Sequence, residues 1–529
     1  MDPELLKTIR NKGLLLEKDV FEILNVFGNS KTAQDFLEQL ERISGQKMIT
    51  KNVLSKNVEY VKSFVSNLGD EKNTVEKTFV RFGISLEARH EKSELENNEV
   101  EGVPRKQDFK IFYANTGADK KLEVKDFTSH FRARFQSLQR ILMSRPELQN
   151  NLVSMGKISS DRQSLSVIGI VTEKRITKNK NMIIKIEDLT GSVNALVKFD
   201  REDVFAKADE LQLVDVIGVK ASGSREMIFV HDIFHPDSFL IEKTRFNEDV
   251  NIAFISDTHC GSDRHLKKSL NKFIDWLNSE DEIAKKIKYI FIVGDTVDGV
   301  GIFPGQEDVL KLKSMEGQYE QLASYLKRVP KRITMFMCPG QHDATRVAEP
   351  QPIISKRYAP QLYEIENLIL VTNPTMVKLT EGEKEFKVLM YHGASIHSFI
   401  NEIKTLRLMK AHRCPAKAVE HMLKRRHLAP THSAVVYIPN AEKDPLVIDE
   451  VPDVLCTGEV HRLDISSYNG VLIITGSCWQ AQTPFEEKVG NIPDPAKVPV
   501  LNLKTRELKI FDFSDPSEVG ENGSWVGDA

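Results

Sequence analysis

Between residues 250 and 461, five apolar runs each stop at a cluster of Asp, His, Glu or Gly. NIAFISD ends in Asp257-Thr258-His259, and YIFIVGD in Gly294-Asp295-Thr296-Val297-Asp298-Gly299. RITMFMCPG runs into Pro339-Gly340-Gln341-His342-Asp343. Tyr391-His392-Gly393 and Gly458-Glu459-Val460-His461 follow. The helical patterns HLKKSLNKFIDWL and GQYEQLASYLKRV alternate with the strands. Such alternation predicts layered α/β packing with the loops gathered at the strand ends, where open sheets build their sites.

One cluster of this kind is common; five in order point to one shared site. The clusters supply carboxylates, imidazoles and amide oxygens. That mixed nitrogen and oxygen set suits Mn²⁺, Fe²⁺ or Zn²⁺ and not a thiolate site. Histidine usage agrees: of 14 histidines none precedes His90, and ten fall from His259 to His461. The five cysteines form no C-x-x-C pair, so buried thiols are expected and a structural zinc or disulfide framework is not. His265 and His397 lie near the clusters without matching them and are read as surface or supporting residues.

The first half is organised differently. Val20, Ile23, Leu24 and Phe27 keep helical spacing, as do Phe36, Leu37, Leu40 and Ile43, and then Val58, Val61, Val65 and Leu68. Residues 1–70 are therefore expected to form a small helical domain. The charged stretch that follows predicts a flexible linker over 71–125. Residues 126–151 look helical, with Phe131, Phe135, Leu138 and Leu142 on one side and arginines read as a solvated face. From 164 to 233 the period changes to two. Strands are expected over 165–171, 182–187, 192–197, 215–222 and 227–232, with a helix over 201–210. That order predicts a five-stranded OB barrel within 126–245. With few aromatics beyond Phe229, it is expected to pack against protein and not to bind a strand of nucleic acid.

The chain has 529 residues, 40% hydrophobic and 28% charged, enough for several buried cores. Its formal net charge is -3, so any nucleic-acid contact must come from a local patch or a partner. The sequence has neither a signal-peptide-like start nor an apolar run of spanning length, so a cytoplasmic location without membrane contact is expected.

The series D-x-H, G-D-x-x-D, G-Q-H-D, H-G and G-E-x-H resembles the calcineurin-like metallophosphoesterases. VDGVGIFPGQE (297–307), LKRRHLAPTH (423–432), DPLVIDEVPDV (444–454) and GSCWQAQTPFEEKVGNIPDP (476–495) resemble, more narrowly, the small subunit of archaeal family D DNA polymerase. The resemblance implies a phosphodiesterase domain over 246–529, acting as a metal-dependent 3′–5′ exonuclease in proofreading. It implies two divalent ions, Mn²⁺ with Fe²⁺, Zn²⁺ or Mg²⁺ as alternatives. Asp257, His259 and His461 would hold the first ion, Asp295 would bridge, and Gln341, His392 and Glu459 would hold the second. His342 would be the general acid, oriented by Asp343. Gln341 stands where the pattern has Asn, and Glu459 where it has His. The implied partners are a large catalytic subunit, in a heterodimer or larger assembly, and single-stranded 3′ ends of DNA. A scaffold subunit with a weakened site, and a stand-alone metallophosphatase, are the rival readings.

Overall fold

The computed structural model describes residues 108–117 and 121–520, residues 30–44, and scattered positions between 9 and 75. The chain divides into two compact units, Met1–Arg105 and Lys106–Ala529.

In the first unit, helix α1 (Ser30–Ser44) buries Ala33, Phe36, Leu37 and Leu40. They pack with Val20, Ile23, Leu24, Val61 and Val65, members of the two other apolar stripes. Ile43 ends its stripe in solvent, 53% exposed. Phe27, Val58, Leu68 and the linker segment 76–107 lie outside the described residues. The unit is not purely helical: β1 (Leu15–Leu16) pairs in parallel with β2 (Met48–Ile49). Two-residue strands carry no readable period, so the sequence does not announce them.

Phe109–Tyr113, inside the expected linker, is strand β3, paired antiparallel along the edge of a sheet. The alternation of Phe109 and Ile111 with Lys110 is the missed signal; charged neighbours masked it. Helix α2 (Val124–Met143) follows and stops before Pro146, which restricts the residue before it. Phe135, Leu138 and Leu142 are buried as expected, against the barrel residues Ile168 and Val216. The arginines are not all solvated: Arg134 is 2% exposed, and its Nε donates to Asp444 at 2.6 Å.

Strands β4 (Gln163–Ile176), β5 (Met182–Asp188), β6 (Gly191–Val197), β7 (Val216–Gly223) and β8 (Ile228–Phe234) close into a barrel, with helix α3 (Glu202–Asp209) between β6 and β7. The circuit is β4-β5-β6-β8-β7, and β7 returns to β4. Period-two alternation turns Val167, Ile184, Ile186, Val193, Ala195, Ile217 and Val219 inward.

Two six-stranded sheets make up the rest. The first contains the parallel strands β9 (Asn251–Ile255), β10 (Ile287–Val293), β11 (Thr334–Cys338) and β12 (Leu368–Leu370). The second carries β13 (Thr375–Glu381), β14 (Lys384–Met390), β15 (Val454–Thr457), β16 (Asp464–Tyr468) and β17 (Val471–Thr475), with β3 at its edge. Strands β18 (Lys497–Asn502) and β19 (Leu508–Asp512) complete the first sheet.

The two faces of β10 explain why its run is apolar throughout. Tyr289, Phe291 and Val293 point between the sheets, meeting Val377, Val388 and Val454. Ile290 and Ile292 point outward under helices α4 (Lys267–Leu277) and α5 (Met315–Leu326). A parallel strand covered on both faces reads as continuous hydrophobic sequence. Helices α6 (Ile396–Glu402) and α7 (Ala416–Arg425) cover the outer face of the second sheet. The result is four layers, α/β/β/α. The two sheets lie back to back, and β9, β10, β11, β14 and β15 lead into the polar clusters. Truncating Phe291 to Ala would cost about 3–5 kcal/mol, because the cavity would open in the dry layer between sheets.

Among the described residues no helix is long and apolar enough to cross a membrane.

Candidate metal centre

The expected site residues converge at the carboxyl ends of these strands. Three groups have ligand atoms within 4.8 Å of one another: Asp257, His259 and His461; Asp257, Asp295 and His392; and His259, Asp298 and His342. Asp257, and not Asp295, is the residue shared by the first two.

The backbone is bent to bring them there. Asp257 (φ 51), His259 (φ 43), Asp295 (φ 46), Glu459 (φ 72) and His461 (φ 57) all sit in the left-handed region. For residues with a Cβ this costs of order 1–3 kcal/mol each, and such strain gathers at functional sites. Gly458 shows how tightly the loops close: a Cβ there would lie 2.5 Å from Asp257 Oδ2.

The tautomers of the imidazoles follow from their partners. His259 Nδ1 faces Asp298 Oδ1 at 3.1 Å, and His461 Nδ1 faces Glu486 Oε1 at 3.0 Å. Each Nδ1 donates to a carboxylate, so in the neutral ring each Nε2 carries a lone pair. Those two Nε2 atoms are 3.0 Å apart, and Asp257 Oδ1 is 3.7 Å from that of His461. Lone pairs so close repel unless a cation sits among them. His392 repeats the pattern. Its Nδ1 donates to the Val293 carbonyl at 3.0 Å, which turns Nε2 toward Asp295 Oδ2 (3.1 Å) and Glu459 Oε2 (3.2 Å) without a hydrogen bond. Asp257 Oδ2 and Gln341 Oε1 are likewise buried with no hydrogen-bond partner. Buried polar atoms are nearly always paired. A divalent cation fits what these atoms lack: hard oxygens and neutral imidazoles converging on shared space.

Without a metal, protons serve as the cations. Burial opposes charging His392, but Asp295 and Glu459 outweigh it and hold its pKa well above the usual imidazole range. For His461 burial is again outweighed, chiefly by Glu486, and its pKa is pushed up to about 9. Burial alone would raise Asp295, yet His392 and His342 hold its carboxyl well below the carboxylate range.

His342 is the reachable histidine, with 22% of its side chain exposed. Its Nδ1 donates to the Asp298 carbonyl at 2.6 Å, and its Nε2 lies 3.9 Å from Asp295 Oδ2. Burial works against protonation, but Asp295 and Asp298 raise its pKa overall. Asp343 does not orient this ring. It accepts from Gly340 N (2.9 Å), Thr296 N (3.1 Å) and Tyr319 OH (3.1 Å), and from Thr296 Oγ1. It ties two strand-end loops together; adjacency in sequence turned it to the opposite side of the chain from His342.

Of the two readings for His265, surface or supporting, burial decides for the second. His265 is 3% exposed, bonded to the Thr258 carbonyl at 2.9 Å, and burial lowers its pKa to about 4. His397 is 45% exposed on its side chain, with Nε2 3.6 Å from Glu459 Oε1. Two supporting residues were given no role from the sequence, although Asp298 closes the G-D-x-x-D motif. Asp298 is fixed by Gln306 (3.1 Å) and Gln480 (3.0 Å). Glu486 closes a capping box with Thr483 on the short helix α8 (Pro484–Val489). The T-x-x-E spacing of that box was the available signal.

Fold and site define an α/β protein with a candidate divalent-metal centre where two sheets converge. Residues 252–463 match the family model for the B subunits of DNA polymerases alpha and epsilon. The DNA polymerase II small subunit of Methanothermobacter thermautotrophicus is 34% identical over 421 residues, covering 78% of this chain and 85% of that one. That of Archaeoglobus fulgidus is 37% identical over 398 residues, covering 74% and 78%. That of Pyrococcus furiosus is 38% identical over 410 residues, covering 75% of this chain but 65% of its own length. This chain belongs to the family of DNA polymerase II small subunits, the small subunits of archaeal family D polymerase.

Proposed function

We propose that the chain serves a replicative polymerase as its accessory subunit and carries a 3′–5′ exonuclease that removes misincorporated nucleotides. The observation that carries this reading is the set of imidazole nitrogens aimed at one another and at buried carboxylates, each already fixed from behind. Asp257, His259 and His461 would hold one divalent ion, and Asp295, Gln341, His392 and Glu459 a second, with Mn²⁺ the first candidate. When bound, such ions lower the pKa of an attacking water and neutralise phosphodiester charge.

The chain's own residues do the rest. A water oxygen bonds to phosphorus as the bond from phosphorus to the leaving 3′ oxygen breaks. His342 Nε2 is the group available to protonate that oxygen, because its Nδ1 is committed to the Asp298 carbonyl. The raised pKa keeps the proton in place near neutrality, as a general acid requires. Asp343 keeps the loops of Asp295 and Gln341 in register.

The name of the relatives, small subunit, supports a large catalytic partner in the complex. We read the barrel as an OB fold used for packing: Arg425 Nε meets Asp215 at 3.0 Å, and Lys424 Nζ meets Glu210 at 2.8 Å. These pairs join the barrel to the phosphoesterase half. A weakened catalyst is the second reading, favoured by Glu459 where a neutral imidazole is expected. Coexpression with the large subunit, followed by Mn²⁺-dependent digestion of 3′-labelled single-stranded DNA, tests both. Shortening by the parent and none by His342→Ala supports the exonuclease; no shortening by either supports the scaffold.

A further inference from the structure

A groove of about 490 Å³ opens beside the metal centre, with Gln341 and His342 at its inner end. One wall is the loop that carries Val300 and Ile302, and Tyr358 also lines the groove. These apolar groups are unusually open for residues so near a buried centre: Val300 is 45% exposed, Ile302 41% and Tyr358 38%. Looseness does not explain it. The loop is held by two buried glutamines. Gln318 accepts from Gly299 N at 2.8 Å and donates to the Gly299 carbonyl at 3.0 Å. Gln306 accepts from Ile302 N at 2.9 Å and donates to the Asp298 carbonyl at 2.8 Å. The wall is thus preorganised and tied to the residue that holds both His259 and His342.

The volume is within the range of small-ligand pockets and suits one nucleotide. The charge suits a polynucleotide: Arg346 lines the groove, and Lys356 and Arg357 lie next to its lining in the exposed S-K-R-Y segment, with the Arg357 guanidinium 5.6 Å from the Tyr358 ring centre. An aromatic face beside cationic side chains is how sequence-tolerant single-strand binders hold successive bases.

We infer that this groove receives the unstacked 3′-terminal base of a DNA strand, held between Tyr358 and the Val300–Ile302 wall, with its phosphate at His342. The inference rests on the exonuclease reading and adds a selection rule to it. A base can enter only after leaving the helical stack, and that costs least for a mispaired or single-stranded end. The site would then cut mismatched termini faster than paired ones without reading base identity.

The test compares a 3′-labelled single strand with bis(p-nitrophenyl) phosphate, a diester without a base. It adds the fluorescence of a strand ending in 2-aminopurine, mixed with the chain in a chelator so that no turnover occurs. Stacking on the aromatic predicts quenching by the parent and by Tyr358→Phe. It predicts loss of quenching, and about a tenfold rise in the single-strand KM, for Tyr358→Ala and Val300→Ser. A parent that digests DNA, with variants that match it in KM and quenching, overturns the groove and leaves the exonuclease standing. A parent that hydrolyses neither compound overturns the exonuclease, and the quenching experiment then decides the groove by itself.

Discussion

His259 and His461 face each other Nε2 to Nε2 across 3.0 Å, each braced at Nδ1 by a different carboxylate. Neither brace comes from the same loop as its histidine. A cation between them would relieve the repulsion of their lone pairs, and two of the expectations below concern what happens when the cation or a brace is removed.

His342→Ala is expected to slow Mn²⁺-dependent hydrolysis about 10²–10⁴-fold, the usual contribution of a general acid. Its Nδ1 bonds a carbonyl, and the one convergent group it joins, with His259 and Asp298, has Asp298 Oδ1 already accepting from His259 Nδ1. Metal content, read by plasma mass spectrometry after dialysis, should therefore be that of the parent. A variant that digests DNA at the parental rate would remove His342 from the chemistry.

Glu486→Ala should weaken metal binding about 10–100-fold, the typical effect of losing a partner that orients a ligating histidine. The carboxylate also caps α8, so the far-ultraviolet circular dichroism of the variant must be checked alongside the titration. Unchanged Mn²⁺ affinity by calorimetry would show that His461 does not ligate.

Replacing Gln341 by Asn and Glu459 by His together should raise turnover while two Mn²⁺ remain bound before and after. Glu459 adds a negative charge against His392, which makes the centre less positive and bound water less acidic. A parent that saturates with a single Mn²⁺ would contradict this account.

The metal-free chain should lose stability as pH rises from about 6.5 to about 9. His461 has its pKa raised from 6.5 to about 9, so its contribution is complete below 6.5 and disappears as the proton leaves through 9. Mn²⁺ replaces that proton, so the fall should be much smaller in the loaded protein. Thermal melts in chelator and in Mn²⁺ across this range provide the check. A metal-free Tm that climbs between pH 6.5 and 9 would rule the assignment out.

Arg134→Met should destabilise the second unit by about 3–5 kcal/mol, because Asp444, wholly buried, would keep its charge without its main partner. Adding Asp444→Asn should recover a large part of the loss. Urea titrations of the single and double variants measure both.

The five strand-end clusters were legible because each is local: an apolar run, then a turn, then a ligand. The barrel was legible for the same reason, since alternation over seven or more residues fixes which side chains face inward. The contacts of Asp343 and of His265 were not. Asp343 follows His342 in sequence, yet the turn at Gly340 aims it at Thr296 and Tyr319. His265 is polar and near a motif, yet its backbone partner at Thr258 holds it inside. Burial of a single polar residue depends on which distant carbonyl is available, and no periodicity encodes that.

The sequence by itself determined the alternation of apolar strands and helices, the barrel strands and the identities of nearly all the candidate ligands. These depend on side-chain period and on residue chemistry, which are carried by neighbours in the chain. Tertiary structure alone decided that Asp298 and Glu486 brace the two facing histidines, that Arg134 is buried on Asp444, and that strand β3 completes a sheet. It also decided that a rigid apolar lip stands beside His342. Each of these joins residues far apart along the chain, and their meeting depends on how the layers close over one another, not on any local preference.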